Sequence, residues 1–392
     1  MPTLTDVEWI FVVLAALYLG ESLVWVRPGV VAFVSRWGAI GSSRRCRRLT
    51  GNEQGDLVLA GLLPFDVTVL SEPLPLSMGR QGVVAFVAAA PLQRDRRPQS
   101  GEYFAWDELR KATAKGRNVN VGDRWLCTNR TERIAAHLAA KLRELADCQP
   151  DDRTQRIEAW RAEQFDSARV RKRIRTWEEA TVAVRIGATL LSCWLGLGVM
   201  LYLGWLPLAP DGWIVAIYLA IFFVLWWATA LAALLGHRYL YPRDRLGRLK
   251  QVLYSLLSPA VPLRLADALG RELLEFEHPL AVSAALDSPE QFRSVAQRVI
   301  RDAIYPQMPE EPVELTEAAH QVMHESRQAD LQHLQRLLAV REVSFDPLLA
   351  PPTTEQSEAQ SYCPRCHSDF LLPLSHCDAC GSRPTVAYSS HA

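Results

Sequence analysis

The chain has 392 residues, of which 49% are hydrophobic and 22% charged, a mixture typical of membrane spans joined to soluble segments. Its 43 basic and 43 acidic residues leave no formal net charge, which argues against nucleic acid as a bulk electrostatic partner. Its 8 cysteines lack the regular spacing of a small disulfide-rich secreted domain, so that class is excluded as well.

An apolar run at residues 7–26 is predicted to be the first transmembrane helix, after a short external segment at residues 1–6. No lysine or arginine precedes this run, which distinguishes it from a cleaved signal peptide. Glu21 lies within the run, where a carboxylate is costly. We interpret its side chain as reaching the lipid headgroups or pairing with Arg185, and any further role stays open.

Residues 27–150 are predicted to form a small cytoplasmic α+β domain. Six short apolar or alternating runs, separated by turn-forming residues, favour strands. They are residues 57–62, 67–70, 82–88, 103–106, 118–121 and 125–128. A helix is expected to follow from an N-cap at Thr131 and to cover the strands. Its buried face is predicted to comprise Ile134, Leu138, Leu142 and Leu145.

The order of these elements resembles bacterial pleckstrin-homology-like domains attached to membrane spans. So does the stretch Phe104-Ala105-Trp106-Asp107-Glu108-Leu109, which precedes a glycine-containing hairpin and the final helix. The resemblance covers residues 56–145, and none extends over the whole chain. It implies a small barrel that binds a ligand, a lipid or a partner without catalysis. No binding residue of that family is carried over to this chain.

A charged amphipathic helix is predicted at residues 151–185, ahead of two apolar runs at residues 186–208 and 213–236. Each run is long enough to cross ~30 Å of hydrocarbon, and neither contains a charged side chain, so together they predict a transmembrane hairpin. Small residues every four positions predict close helix packing and offer a surface for homo-oligomers. These residues are Ala188, Ser192 and Gly196 in the first helix, and Ala228, Ala232 and Gly236 in the second.

Arginine and lysine cluster after the first predicted span, before the second and after the third, whereas residues 1–6 and 207–212 contain none. The positive-inside rule therefore places the N-terminus outside, and both large soluble segments and the C-terminus in the cytoplasm. Only 5 of the 43 basic residues are lysine, a bias typical of high-GC bacterial genomes. We accordingly expect an integral protein of the bacterial inner membrane.

Residues 237–342 are predicted to be a mainly helical cytoplasmic region. His320 and His324 share a face of its last helix and form a candidate second metal site. The HExxH protease pattern is absent, because glutamine follows the first histidine, and a solvated polar face is the alternative interpretation. A polar, proline-containing linker at residues 343–361 is predicted to lead to a zinc ribbon at residues 362–386.

The sharpest chemical signal lies in this last segment. Two CxxC pairs, Cys363 with Cys366 and Cys377 with Cys380, are separated by 10 residues. Four thiolates in two such turns surround a tetrahedral zinc ion at ~2.3 Å, so Zn²⁺ is the predicted cofactor. The pattern resembles zinc ribbons, although His367 stands where that family often has glycine. A redox role for the CxxC pairs is the alternative, but no thioredoxin-like βαβ pattern surrounds them.

The predicted fold is thus a multi-pass α-helical membrane protein with three transmembrane helices, a small α+β domain, a helical region and a zinc ribbon. Its predicted function is that of a non-catalytic, membrane-anchored interaction or regulatory protein, scaffold-like, whose ribbon engages a cytoplasmic protein partner. No phosphate-binding loop or nucleophile elbow indicates an enzyme, and an unrecognised membrane enzyme is the alternative. A nucleic-acid-binding ribbon is the third reading, but Arg365 and Arg383 are too few basic residues for a phosphate footprint.

Overall fold

The structure is a computed structural model of the chain. It describes residues 29–35, 45–49, 66–71, 74, 76–85, 102–129, 131–202, 212–257, 261–270, 272–305, 315–352, 358–372, 376–380 and 383–388. The predicted first span at residues 7–26, including Glu21, lies outside this described part, and so does the predicted strand at residues 57–62.

The described chain is mostly helical, with small antiparallel sheets. The helices are α1 (Trp106–Leu109), α2 (Glu132–Asp147), α3 (Pro150–Gln164), α4 (Ser167–Tyr202), α5 (Gly212–Leu240), α6 (Arg245–Leu257), α7 (Val261–Gly270), α8 (Pro279–Leu286), α9 (Pro289–Ile304) and α10 (Glu317–Val340). The strands are β1 (Gly29–Ser35), β2 (Arg45–Leu49), β3 (Asp66–Ser71), β4 (Leu76–Met78), β5 (Gly82–Ala85), β6 (Glu102–Ala105), β7 (Ala112–Lys115), β8 (Asn118–Val121), β9 (Arg124–Thr128), β10 (Ser361–Tyr362), β11 (Asp369–Phe370), β12 (His376–Cys377), β13 (Arg383–Pro384) and β14 (Val386–Ala387).

The chain divides into two compact units, and each is discontinuous in sequence. We call Met1–Glu72 with Ala168–Glu275 the hairpin unit, and Pro73–Ser167 with Phe276–Ala392 the mixed unit. The first boundary falls inside residues 27–150, where the sequence predicted one α+β domain. Strands β1 to β3 pair with one another in the order β2-β1-β3, and β3 packs against α7, so this sheet belongs with the long helices.

Two helices of the hairpin unit are long and apolar enough to cross a membrane, over Ser167–Gly198 and Ala216–Leu240. Helix α4 runs without a break from the charged segment predicted at residues 151–185 into the apolar one, over 36 residues or about 54 Å. The break in the charged segment comes earlier, at Phe165 and Asp166.

Helices α4 and α5 pack closely where small residues meet. A side chain at Gly187 would collide with Thr229, and one at Gly236 would lie 2.7 Å from the carbonyl oxygen of Ala180. Of the small residues singled out in the sequence, Ala188 is buried, whereas Ala228 is exposed and Gly196 has open space around it. The contact face of α5 passes through Thr229, Ala233 and Gly236, because a helix repeats every 3.6 residues and a strict four-residue spacing drifts off it.

An aromatic pair joins α4 to α5 nearer the connection between them. The Trp194 indole N–H donates to the Tyr218 carbonyl oxygen at 3.1 Å. In return, the Tyr218 hydroxyl donates to the Trp194 carbonyl oxygen at 3.0 Å, and the two rings stack with centroids 5.3 Å apart. These two bonds fix the register of the helical pair.

In the first segment of the mixed unit, strands β4-β5-β6 and β7-β8-β9 each form a three-stranded antiparallel sheet, with α2 packed on β7 and β8. The predicted cap is confirmed, since the Thr131 hydroxyl accepts from the Ile134 backbone N–H at 3.2 Å. The predicted apolar face of α2 is also confirmed. Its four residues Ile134, Leu138, Leu142 and Leu145 are all buried in the core of this module.

Helix α10 covers the first sheet of the mixed unit, although it lies far along the chain. Ala319 and Val322 on α10 form a buried cluster with Val84 of β5. The β4–β5 turn holds the same helix, because the Arg80 backbone N–H donates to the Glu325 carboxylate at 2.9 Å. The α+β module is therefore completed by a segment that follows the long helices in sequence.

The chain leaves and re-enters the mixed unit at neighbouring points. The His278 backbone N–H donates to the Gln164 carbonyl oxygen at 2.8 Å. The Phe165 ring stacks on the His278 ring with centroids 4.3 Å apart, and the Phe165 ring also stacks on the His333 ring with centroids 5.3 Å apart. These contacts hold the end of α3 beside the start of α8.

The segment predicted as a linker at residues 343–361 contains ordered structure in its described part. A short 3-10 turn at Asp346–Leu348 packs against α9, and the side chain of Leu348 is buried. The free length of chain before the cysteine-rich tail is correspondingly shorter than the sequence suggests.

Candidate metal centre

The first cysteine pair lies on a tight turn between β10 and β11. The Cys363 backbone N–H donates to the Ser368 carbonyl oxygen at 3.0 Å, and the His367 N–H donates to the Cys363 carbonyl oxygen at 2.9 Å. His367 adopts a left-handed backbone conformation with φ of 63°. A side chain is strained at this position, since only glycine takes positive φ without a steric penalty.

The second cysteine pair lies at the end of β12 and in a 3-10 turn, Asp378–Cys380. Cys377 pairs with Arg383 of β13 in an antiparallel register. Cys363 directly follows β10, and Cys377 is the last residue of β12, so a short strand sets the direction of each CxxC pair. The two-residue gap in each pair lets both sulfur atoms of a turn point to the same side.

The structure brings all four predicted cysteines together. The Sγ atoms of Cys363, Cys366, Cys377 and Cys380 lie within 4.8 Å of one another, and the Cys366 and Cys377 sulfurs are 3.6 Å apart. A tetrahedral zinc ion with Zn–S bonds of ~2.3 Å requires sulfurs about 3.8 Å apart, so the residues present fit that ion. Three of the cysteines are buried and Cys366 is exposed, with Phe370 packed against the buried ones.

The electrostatics of the cluster favour deprotonation of Cys366 before that of Cys377 or Cys380. Burial acts to raise the pKa of the Cys366 thiol, but hydrogen bonds from Ser368, Cys377 and Cys363 outweigh burial and lower it to about 7. Burial and the neighbouring Cys366 raise the pKa of Cys377 and of Cys380. Four sulfurs so close together cannot all hold charge by themselves, and a bound cation would remove that repulsion.

A three-stranded sheet in the order β11-β10-β14 supports the cluster. The Ser361 hydroxyl, on a fully buried residue of β10, donates to the Leu372 carbonyl oxygen at 2.7 Å. The Tyr388 hydroxyl donates to the Asp369 carboxylate at 2.5 Å, and its ring lies 4.9 Å from that of Tyr362. These side chains give the ribbon a small core of its own beside the sulfur atoms.

The ribbon contacts the C-terminal end of α9. The Arg365 guanidinium lies 3.2 Å from the Asp302 carboxylate and 3.8 Å from the Cys380 sulfur. The Arg383 guanidinium lies over the Tyr305 ring, 5.6 Å from its centroid. Sequence reasoning missed Asp302 and Tyr305, because no spacing rule connects the end of a helix with a turn so far along the chain.

The other candidate ligands, His320 and His324, lie exposed on α10. The His324 Nε2 atom is 3.3 Å from the Gln328 side-chain amide nitrogen. Within the described residues, no group of three or more possible ligand side chains includes either histidine. The metal site at these two histidines stays a prediction, beside the alternative of a solvated polar face.

The donor set determines what the cysteine centre can do chemically. Four sulfur ligands complete a tetrahedral shell and leave no position for water or substrate, which is the arrangement of structural zinc sites.

No protein-family model matches the chain, and neither the curated proteins nor the solved structures contain a match to it.

Proposed function

We propose that this protein is a non-catalytic, membrane-anchored interaction protein whose zinc ribbon presents a binding surface to a cytoplasmic protein partner. One observation carries the proposal. Leu371 and Leu372, which directly follow β11, are 57% and 61% exposed, although the ribbon has few apolar residues to spare for its core. Two adjacent exposed leucines on a metal-stabilised turn form an apolar contact surface of the kind that protein interfaces bury.

The metal has a structural role in this proposal. Cys363, Cys366, Cys377 and Cys380 would hold the ion, and the ion supplies folding free energy to a segment too small to fold by burial alone. The rigid ribbon then fixes the position of the two leucines. The ion itself takes no part in a reaction.

The apolar surface of α5 supports the membrane anchor. Large apolar side chains are exposed along the whole helix and around much of its circumference. They include Ile217, Leu219, Phe223, Val224, Trp227, Leu231 and Leu235. Such a surface is unfavourable in water and suits hydrocarbon, so α4 and α5 are proposed as the transmembrane hairpin, with the ribbon on the cytoplasmic side of a bacterial inner membrane.

The two small sheets and α2 support the proposed pleckstrin-homology-like character of residues 56–145. Strands β4 to β9 form two three-stranded antiparallel sheets, and the helix that follows them packs on the second. In that reading the module is a second binding surface on the same anchor.

A protein partner is favoured over nucleic acid by the positions of the basic side chains of the ribbon. Arg365 pairs with Asp302, and Arg383 lies over Tyr305, so both cations face α9. Neutralising phosphates requires several accessible cations. The exposed leucines offer the opposite chemistry.

Photo-crosslinking in intact cells tests the proposal. The full-length protein would carry a benzophenone amino acid at Leu371, with Glu358, which is exposed but lies before β10, as the control position. We expect a discrete adduct from Leu371 only, and its loss on Leu372→Asp at unchanged zinc content. An adduct of twice the chain mass would identify a second copy as the partner, whereas equal adducts from both positions, or none from Leu371, would contradict the proposal.

A further inference from the structure

Helices α6 and α7 turn back along the long helix α5. The Trp226 indole N–H on α5 donates to the Ser255 carbonyl oxygen, near the end of α6, at 2.9 Å. The Tyr241 hydroxyl, just after α5, donates to the Leu269 carbonyl oxygen, near the end of α7, at 2.8 Å. Helix α6 therefore runs back along α5 from the end of α5, and α7 returns to that end.

Helix geometry gives the distance that α6 reaches back along α5. Trp226 precedes Gly236, the last residue of the apolar run, by 10 positions, which is about 15 Å along α5. If α5 spans ~30 Å of hydrocarbon, Trp226 and the Ser255 carbonyl lie near the middle of the bilayer. We propose that α6 and α7 form a re-entrant hairpin that enters the lipid bilayer from the cytoplasmic side and turns round within it. This inference rests on the proposed membrane anchor.

The outer face of α6 has the chemistry that this position requires. Leu246, Leu249 and Leu253 form a stripe at helical spacing and are 73%, 57% and 49% exposed. Helix α6 contacts α5, whose own exposed apolar side chains the proposed anchor assigns to lipid. Helix α6 therefore extends an apolar surface that has the bilayer as its proposed occupant.

The distribution of charged residues along α6 also fits a helix that enters the bilayer. Residues 251–263 contain no charged side chain, so the half of α6 that lies deepest is uncharged. The basic residues of α6 lie in its first half, where long side chains reach the headgroups. The Arg248 guanidinium donates to the Pro242 carbonyl oxygen at 3.0 Å, which directs its charge back toward the entrance. An uncharged segment of this length is too short to span the bilayer as a helix and has a length found in re-entrant segments.

The inner face of the hairpin is packed against protein. Leu265, Ala266 and Leu269 of α7 are buried, and the Trp177 indole N–H of α4 donates to the Ala266 carbonyl oxygen at 3.3 Å. A carbon atom added at Gly236 would lie 3.4 Å from Leu269. Backbone that turns within a bilayer is tolerated where protein covers one side in this way.

Depth measurements on the full-length protein in vesicles of phosphatidylcholine and phosphatidylglycerol test this inference. A keto amino acid carrying a nitroxide replaces Leu246, Leu249 or Leu253 in turn, which leaves the native cysteines untouched. Collision of the nitroxide with oxygen and with a nickel chelate gives its depth. We expect Leu253 to lie about 10 Å deeper than Leu246, because seven residues of helix rise by that amount.

Two reference positions separate the possible failures. Val224, exposed on α5, reports the middle of the bilayer, and Gln335, exposed on α10, reports water. Equal shallow depth at the three α6 positions would overturn the inference in favour of a helix lying flat on the surface. Values equal to that of Gln335 would overturn it in favour of a water-exposed helix. A water-like value at Val224 would instead contradict the membrane anchor itself.

Discussion

The Arg161 guanidinium on α3 lies 2.8 Å from the Asp330 carboxylate on α10, and its side chain is only 5% exposed. It also pairs with Glu158 and donates to the Met78 carbonyl oxygen of β4 at 3.2 Å and to the Ser326 hydroxyl at 3.3 Å. One buried cation thus joins α3, β4 and α10. Burial raises the pKa of the Asp330 carboxyl, and the charge of Arg161 opposes that rise.

Removing this cation is expected to be costly. Arg161→Ala should lower the free energy of unfolding by about 3 kcal/mol, because the carboxylates and carbonyl that it serves lose their partner. The pKa of Asp330 is already raised and should rise further in the variant. The loss of unfolding free energy should therefore shrink as the pH falls through the pKa of Asp330, because the carboxyl becomes neutral. Thermal unfolding in detergent at neutral and acidic pH measures both effects.

Helix α3 provides the control for that comparison. Arg156 pairs with Glu144 at 2.9 Å, but both side chains are about half exposed. Arg156→Ala should therefore change stability by about 0.5 kcal/mol or less. An equal effect of the two substitutions would show that Arg161 is not the centre of the contact.

The zinc centre gives a stoichiometric prediction. Cys363→Ser and Cys380→Ser should each lose zinc, because an alcohol does not replace a thiolate in a four-sulfur shell. Cys127→Ser and Cys148→Ser, outside the cluster, should retain one zinc per chain. Metal analysis of purified protein decides the matter, and full zinc occupancy in either ligand variant would refute the assignment.

His367 offers a stabilising substitution. Its φ of 63° is unfavourable for a side chain with a Cβ, so His367→Gly should relieve strain worth about 0.5–1 kcal/mol and tighten zinc binding. The lost contact of its ring with Tyr362, at 5.9 Å between centroids, reduces that gain. His376→Gly, at an exposed strand position, is the control and should weaken zinc binding. Competition with a chelator ranks the three proteins, and weaker binding by His367→Gly would contradict the argument.

The helical hairpin has a matched pair of glycines. Gly187 faces Thr229, whereas Gly196 has nothing within 4 Å of an added carbon. Gly187→Ile should separate α4 from α5 and lower the unfolding temperature in detergent by several degrees, since a clash between packed helices costs about 1–3 kcal/mol. Gly196→Ile should have little effect. A reversed order of the two melting temperatures would mean that the described helix pairing is wrong.

The elements that sequence reasoning predicted well are those set by local pattern. The buried stripe of α2 follows from the 3.6-residue repeat, and the cysteine cluster follows from two CxxC spacings. One local signal was missed. Trp106 opens α1 instead of ending a strand, and Glu108, three residues after the cap Ala105, accepts from the Ala105 backbone N–H at 3.1 Å. An acidic residue in the first turn is a helix-start signal that the sequence already contained.

The features that could not be predicted are long-range contacts. Nothing in the sequence near Arg365 indicates Asp302 as its partner, and nothing near Val84 indicates that α10 will cover it. The unit boundary between Glu72 and Pro73 is of the same kind, because it depends on which helices the strands pack against. Such contacts arise from tertiary packing, which periodicity and spacing do not encode.

The His278–Gln164 hydrogen bond closes the mixed unit around a long insertion that contains α4 and α5. During synthesis, β4 and β5 leave the ribosome first, α4 and α5 follow, and α10 leaves last. The sheet around Val84 must therefore wait, with its apolar face uncovered, until both long helices have been synthesised. A chain in which synthesis stops after α5 would keep this apolar sheet face exposed, and such surfaces are prone to aggregation.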